Sequence, residues 1–121
     1  MKRTNREIGN IGEDHASAYL IKSGYEILER NWRYSRAEID IIAKKEGILV
    51  FIEVKTRSYT YFGEPSEAVG VKKEALLMDA GQRYMEKIDH EWEIRFDIIS
   101  VIISKSGGCL NLEHFEDVFF A

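Results

Sequence analysis

The stretch EIDIIAKKEGILVFIEVK, residues 38 to 55, sets Glu38, Asp40, Glu53 and Lys55 among Ile, Leu, Val and Phe. Charged groups rarely go inside a protein unless they are paired or hold a metal. Residues two apart in a strand share a face, so Glu38 points with Asp40 and Glu53 with Lys55. If Glu46 and Gly47 form a two-residue hairpin turn, Lys45 faces Ile48. Counting outward then puts Asp40 opposite Glu53 and Glu38 opposite Lys55, with all four on one face far from the turn. Opposed carboxylates repel each other, and Lys55 neutralises one of them at most. A hard divalent cation such as Mg2+ resolves the conflict, because it takes carboxylate oxygens and fills its other positions with water. Such an ion polarises a phosphoryl oxygen and lowers the pKa of a bound water. Lys55 beside it would orient that water or stabilise charge developing on phosphate. The competing reading is a cross-strand ion pair, Glu38 with Lys55, on a solvated sheet face. The apolar setting favours the first, since IDIIA and ILVFIEV read as strands buried on both faces.

The elements that must position these residues follow from hydrophobic spacing. From about Asn5 to Ser23, Ile8, Ile11, Ala16, Tyr19 and Leu20 recur at helical intervals, and Gly24 supplies a stop. Gly9 and Gly12 weaken the first turns or admit a close neighbour. The segment YEILERNWR reads as a strand, followed by the two charged strands at about 37 to 44 and 48 to 56. A second helix fits residues 70 to 88, with Val71, Ala75, Leu76, Ala80, Tyr84 and Ile88 on one side. EIRFDIISVII and CLNLEHF complete the pattern. The order α-β-β-β-α-β-β predicts an α/β domain whose first three strands are antiparallel. SYTYFGEPSE, with the single Pro65, reads as a loop.

With 121 residues the chain is expected to form one domain, residues 1–121. Its composition, 45% hydrophobic and 31% charged, is that of a globular protein rather than a disordered one. No apolar run reaches the length of a membrane span, and the first residues lack a signal peptide's apolar stretch. Cys109 is the single cysteine, which excludes an internal disulfide and fits a reducing, cytoplasmic home. A net charge of −4 argues against nonspecific coating of nucleic acid, but not against a local basic face. Arg30, Arg33, Arg36, Lys44, Lys45, Arg57, Lys72 and Lys73 cluster around the charged strands in sequence; on charge alone, solvated surface is the better reading.

Asp40, followed after a hairpin by Glu53-Val54-Lys55, resembles the PD-(D/E)xK nuclease pattern. More closely, GEDHASAYLIKSGYEILERNWRYSRAEIDIIA, LVFIEVKTRS and FGEPSEAV resemble the YraN-like family of small bacterial proteins, similar to archaeal Holliday junction resolvases. The resemblance covers about residues 7 to 101. It implies a restriction-endonuclease-like fold, with a central mixed sheet flanked by helices, and metal-dependent nuclease chemistry. By position it makes Asp40 and Glu53 metal ligands, Lys55 the catalytic lysine and Glu13 a further acid near the metal. Without the family, Glu13 reads as an exposed helix carboxylate. Glu38 matches the family's Gly-Glu-Ile-Asp pattern as a supporting residue or a partner for Lys55. The chain departs from that pattern at Ala37, where Gly is usual, and at Glu74, where Gln is usual after Lys73. Similar resolvases are homodimers, which makes a homodimer the expected assembly.

Arg33, Arg36, Arg57 and Lys73 are the candidate phosphate contacts, and Tyr59, Tyr61 and Phe62 could stack on unpaired bases. Trp32 reads as packing. His15, His90 and His114 lack partners at zinc-ligand spacing, and no His adjoins Cys109 to activate it. The terminal VFFA either packs back on the sheet or joins a partner. Three functions follow: an Mg2+- or Mn2+-dependent endonuclease acting on DNA, on branched or damaged structures; a nucleic-acid-binding module that cleaves nothing; and a structural domain whose charges are an ion-pair network.

Overall fold

The computed structural model describes residues 2–60, 71–91 and 93–119. Tyr61, Phe62 and Pro65, and the side chains of Val71 and Lys72, lie outside the described residues. Helix α1 spans Asn5–Lys22, strands β1, β2 and β3 span Glu26–Tyr34, Ala37–Lys45 and Ile48–Ser58, helix α2 spans Val71–Lys87, and strands β4 and β5 span Ile94–Ile103 and Cys109–Phe115. The order α-β-β-β-α-β-β matches the restriction-endonuclease-like pattern expected from the sequence.

One sheet runs in the order β1-β2-β3-β4-β5. Its pairs are antiparallel except β3 with β4, which run parallel. Glu46 (φ 51°) and Gly47 (φ 82°) make the hairpin turn, the pair of positive angles that a tight two-residue connection requires. Lys45 accordingly pairs with Ile48, as counted. The central strands are apolar on both faces because each face carries a helix. Ile41, Ala43, Val50 and Ile52 pack with Ala16 and Leu20 of α1, and Ile42, Leu49 and Phe51 with Leu77, Ala80 and Tyr84 of α2.

Helix α1 begins at a reciprocal cap: Thr4 Oγ1 accepts from the Glu7 N–H at 3.1 Å, and the Glu7 carboxylate accepts from the Thr4 N–H at 2.9 Å. The helix presses on β3 at Gly12, where an added Cβ would sit 1.8 Å from Thr56 Oγ1. The close neighbour that Gly12 admits is therefore the strand carrying Glu53 and Lys55. This docking turns Glu13 inward. It is only 8% exposed, which overturns its reading as an exposed carboxylate.

Helix α2 buries Ala80 and Tyr84 of the expected stripe but not Ala75, Leu76 or Ile88. Leu77, Ala80, Gly81 and Tyr84 face the sheet, whereas Leu76 and Ile88 are exposed. Gly81 decides the rotation. Its missing side chain admits the rings of Phe51 and Phe96, each of which would stand 3.2 Å from an added Cβ. Trp32 packs edge-on against Tyr84, as expected, and Phe119 stacks on Phe96 at 4.6 Å, so Val118 and Phe119 fold back on the sheet.

A buried polar cluster fastens β5 to the rest. Asp97, with a fully buried side chain, accepts from Arg95 Nε at 2.9 Å, Arg95 Nη2 at 2.8 Å, His114 Nε2 at 2.7 Å and the Asp117 N–H at 3.0 Å. His114 Nδ1 meets the Tyr19 hydroxyl of α1 at 2.9 Å, and Arg95 Nη2 donates to Tyr25 at 2.6 Å. Burial would raise the Asp97 pKa, but the bonds from His114, Arg95 and the Asp117 N–H hold it below its ordinary value.

Two outcomes test this frame. Gly12→Ala is expected to cost about 1–3 kcal/mol in denaturant melts, and Thr56→Ala should recover only part of it, because the Thr56 Cβ itself lies 2.7 Å away. Asp97→Ala leaves Arg95 only the half-exposed Glu116, 3.3 Å away, and the Tyr25 hydroxyl, and strips His114 Nε2 of its partner, so it should cost roughly 3–5 kcal/mol; a loss under about 1 kcal/mol would mean that the cluster contributes little.

Candidate active site

The β2–β3 ladder runs from the turn only as far as Ile41–Ile52. Beyond it Asp40 Oδ2 accepts the Val54 N–H at 2.8 Å, so a side chain supplies what a backbone carbonyl would have supplied. At this rung the sheet turns over. Ile41 and Ala43 belong to the α1 side, yet Ile39 and Ala37 belong to the α2 side. Strand β1 does the same opposite it. Arg30 reaches Glu13 and Asp14 of α1, Arg33 reaches Glu38, and the intervening Asn31 takes φ 54°. Asn is among the few side-chain-bearing residues that accept that conformation readily.

The reversal corrects the expectation that Glu38, Asp40, Glu53 and Lys55 share one face, with Glu38 opposite Lys55. That count assumed regular alternation up to residue 38. Instead Glu38 and Asp40 meet Glu13, the three offering carboxylate oxygens within 4.8 Å of one another. Glu53 lies on the α2 side of β3, in line with Phe51, and Lys73 of α2 makes an ion pair with it. Lys55 stands two residues further along β3, paired with Ser100 of β4 in the parallel ladder. Asp40 therefore occupies the pivot between an acidic pair on one side and Glu53 on the other.

The electrostatics follow from that position. Burial pushes the Asp40 carboxyl up to about 7; the Val54 N–H opposes this, and the charges of Glu13, Glu53 and Glu38 add to it. Glu13 is also raised, chiefly by burial, against Asn31 and Arg30. Around this centre each neighbouring acid has a base from another element. Arg30 Nη2 lies 3.6 Å from Glu13, Arg33 Nη2 2.6 Å from Glu38, and Lys73 pairs with Glu53. Yet Glu13 Oε1, which Arg30 approaches only to 3.6 Å, and Glu53 Oε2 are buried with no hydrogen-bond partner among the described residues. Unpartnered hard oxygens beside a carboxyl strained by burial and like charge are what a divalent cation takes once that carboxyl has lost its proton. Glu13, Glu38 and Asp40 are the carboxylates whose oxygens lie close enough together to share such an ion, and Glu53 is not among them.

The other expected contacts divide. Arg33 and Lys73 are engaged by Glu38 and Glu53, while Arg36 is exposed in the β1–β2 turn and Arg57 is exposed near the end of β3. The histidines lie apart from the acids: His15 donates to the Gly107 carbonyl, His90 lies 3.0 Å from the Glu93 carbonyl, and His114 binds Asp97. Sequence reasoning did not single out Arg95 and Asp97. The signal was present, since β4 sets Arg95 and Asp97 among apolar residues just as β2 sets Glu38 and Asp40.

The model of the uncharacterised protein family UPF0102 matches residues 12–101, which include Glu13, Glu38, Asp40, Glu53 and Lys55. The chain belongs to UPF0102. It is 48% identical over 116 residues to a UPF0102 protein of Flavobacterium psychrophilum, covering 96% of each chain. A UPF0102 protein of Dictyoglomus turgidum is 43% identical over 116 residues, covering 95% of this chain and 98% of that one. One of Parabacteroides distasonis is 40% identical over 121 residues, covering 100% and 98%. The membership in a family of small bacterial proteins expected from the sequence holds. No helix among the described residues is long and apolar enough to cross a membrane.

The raised Asp40 pKa has a consequence for stability. Unfolded, Asp40 releases its proton near 4; folded, it keeps the proton to about 7. Between those values the folded chain binds more protons, so this group makes stability fall as pH rises. Asp40→Asn preserves the acceptor for the Val54 N–H and removes the charge. In EDTA the variant is expected to melt several degrees above the unaltered chain at about pH 8, with the gap closing towards about pH 4. A gap that does not change with pH would refute the buried-charge account.

Proposed function

We propose that this UPF0102 protein is an Mg2+- or Mn2+-dependent endonuclease that hydrolyses DNA phosphodiester bonds, on branched or damaged structures, inside the cytoplasm. The observation that supports this best is the meeting of Glu13 from α1 with Glu38 and Asp40 from β2, with Glu53 of β3 adding its charge at Asp40. By the resemblance, Glu13, Asp40 and Glu53 would hold the ion, which supplies charge for the phosphoryl oxygen and acidifies a bound water. Glu38 would keep Glu13 and Asp40 oriented, with Arg33 holding it in turn.

Lys55 is the residue for the attacking side. Two positions from Glu53 on the same strand, its ammonium would fix a water and offset charge as that water's oxygen bonds to phosphorus. The bond from phosphorus to one sugar oxygen breaks, the water gives up a proton, and the departing oxygen takes one. Arg36 and Arg57, exposed on either side of the acids, would hold flanking phosphates. By the resemblance to resolvases, the working form would be a homodimer.

A second reading, a nucleic-acid-binding module without cleavage, draws on Lys73. It neutralises Glu53 from α2, which leaves that carboxylate less charge to offer an ion.

Labelled four-way junctions, flaps, duplexes and single strands incubated with Mg2+, Mn2+ or EDTA separate the two. The nuclease reading expects metal-dependent cutting that falls more than about 100-fold in Glu53→Ala and Lys55→Ala proteins. It also expects Mn2+ to raise the melting temperature of the unaltered chain and not of Glu53→Ala. Binding without cutting, unchanged by either substitution, would establish the binding module instead.

A further inference from the structure

Three grooves adjoin on the α1 side of the sheet. The first, of about 640 Å3, lies between the start of α1 and the ends of β3 and β4 and is lined by Lys2, Arg3, Tyr59 and Lys105. The second, of about 570 Å3, shares Asn5, Ile8, Ser58 and Thr60 with the first and continues past Arg57 to Gly9. The third, of about 330 Å3, shares Gly9 with the second and is lined by Glu13 and Glu38 together with Arg6 and Arg33. One surface track thus leads from the basic end of the sheet, over Gly9, into the acidic cluster.

Its chemistry is graded. The chain carries a net charge of −4, yet the first two grooves are lined by Lys2, Arg3, Arg57 and Lys105 and by no acid among the described residues. Ser58, Thr60 and Ser104 add hydroxyl donors of the kind that meet phosphate oxygens. Tyr59 stands 50% exposed in that lining, a large ring kept in water. A ring placed so gains by stacking on a base, and only an unpaired base has a face to offer. At Gly9 an added Cβ would meet nothing within 4 Å, so the track crosses the helix where a side chain would have raised a wall. Glycine in the body of a helix costs about 1 kcal/mol against alanine, and packing does not account for it here.

We infer that this track takes a single, unpaired DNA strand, its phosphates on the basic lining and a base on Tyr59, and leads it across Gly9 to the acids. The preferred substrate is then one with an unpaired strand of several nucleotides beside the scissile phosphate, such as a flap, rather than intact duplex. That last step rests on the nuclease reading of Glu13, Asp40 and Glu53; the binding track does not.

The test uses the full chain in EDTA, with fluorescence anisotropy of a labelled thymidine oligonucleotide and of a labelled duplex. The unaltered chain should bind the single strand more tightly. Tyr59→Ala should weaken that binding roughly 5- to 100-fold, and Gly9→Glu, which blocks the track with bulk and charge, at least about 10-fold. Gly9→Glu should melt no lower than the unaltered chain, which separates a blocked track from a damaged fold. Single-strand affinity unchanged in both variants, or a duplex bound as tightly and weakened equally, would overturn the track. Anisotropy losses as expected, with no cutting in Mn2+, would uphold the track and sink the nuclease reading alone.

Discussion

The bond from the Val54 N–H to Asp40 is the constraint on which the site depends. A regular β2–β3 ladder would set Asp40 against Glu53, two carboxylates facing across strands. Ending the ladder one rung earlier and capping the freed N–H with the carboxylate avoids that. It also keeps a buried backbone donor satisfied. The chain beyond then comes round with the opposite parity, so Ile39 and Ala37 join the α2 core while Glu38 swings to α1. Strand β1 has to follow, and Asn31 supplies the left-handed residue that lets it. A single side-chain-to-backbone substitution thereby brings acids from both sides of the sheet to one pivot.

How much of this the sequence discloses depends on how local the cause is. The turn at Glu46–Gly47 is local, and counting from it gives the ladder correctly through Ile41–Ile52. The reversal at Asp40 is not, because counting assumes a regular strand and no residue type announces where regularity stops. Asn31 was the one hint. The inward turn of Glu13 depends on α1 docking against Thr56, a contact between residues 44 apart in the chain, and only the gap left by Gly12 foretells it. The helix α2 stripe holds at Ala80 and Tyr84 and fails at Leu76 and Ile88 for the same reason. Spacing fits 76 and 80 as well as 77, 80 and 84, and the choice is made by the rings of Phe51 and Phe96 that fill the notch at Gly81.

The basic partners illustrate the difference between charge counting and charge placement. Arg33 and Lys73, read as phosphate contacts, are drawn to Glu38 and Glu53, because acids gathered in one place attract the nearest flexible cations. Arg33 and Lys73 are exposed, so these pairs contribute little to folding. Their effect is to neutralise acids that would otherwise repel one another.

The two buried carboxylate clusters of this sheet distinguish structure from function without reference to any relative. Asp97 is as deeply placed as any group in the chain, and it is met by a guanidinium, an imidazole and a backbone N–H, which together hold its pKa down despite burial. That is how a buried charge looks when folding is its purpose. Asp40, on the next strand but one, accepts from Val54 and stands in the field of Glu13, Glu53 and Glu38, which carries it to about 7. Folding alone would not retain an acid placed so, since a neutral residue would relieve both the burial and the repulsion. One sheet thus holds two buried aspartates in opposite ways, Asp97 met by positive groups and Asp40 by a single backbone N–H amid three acids, and perturbation of the second kind is the one that clusters at functional sites.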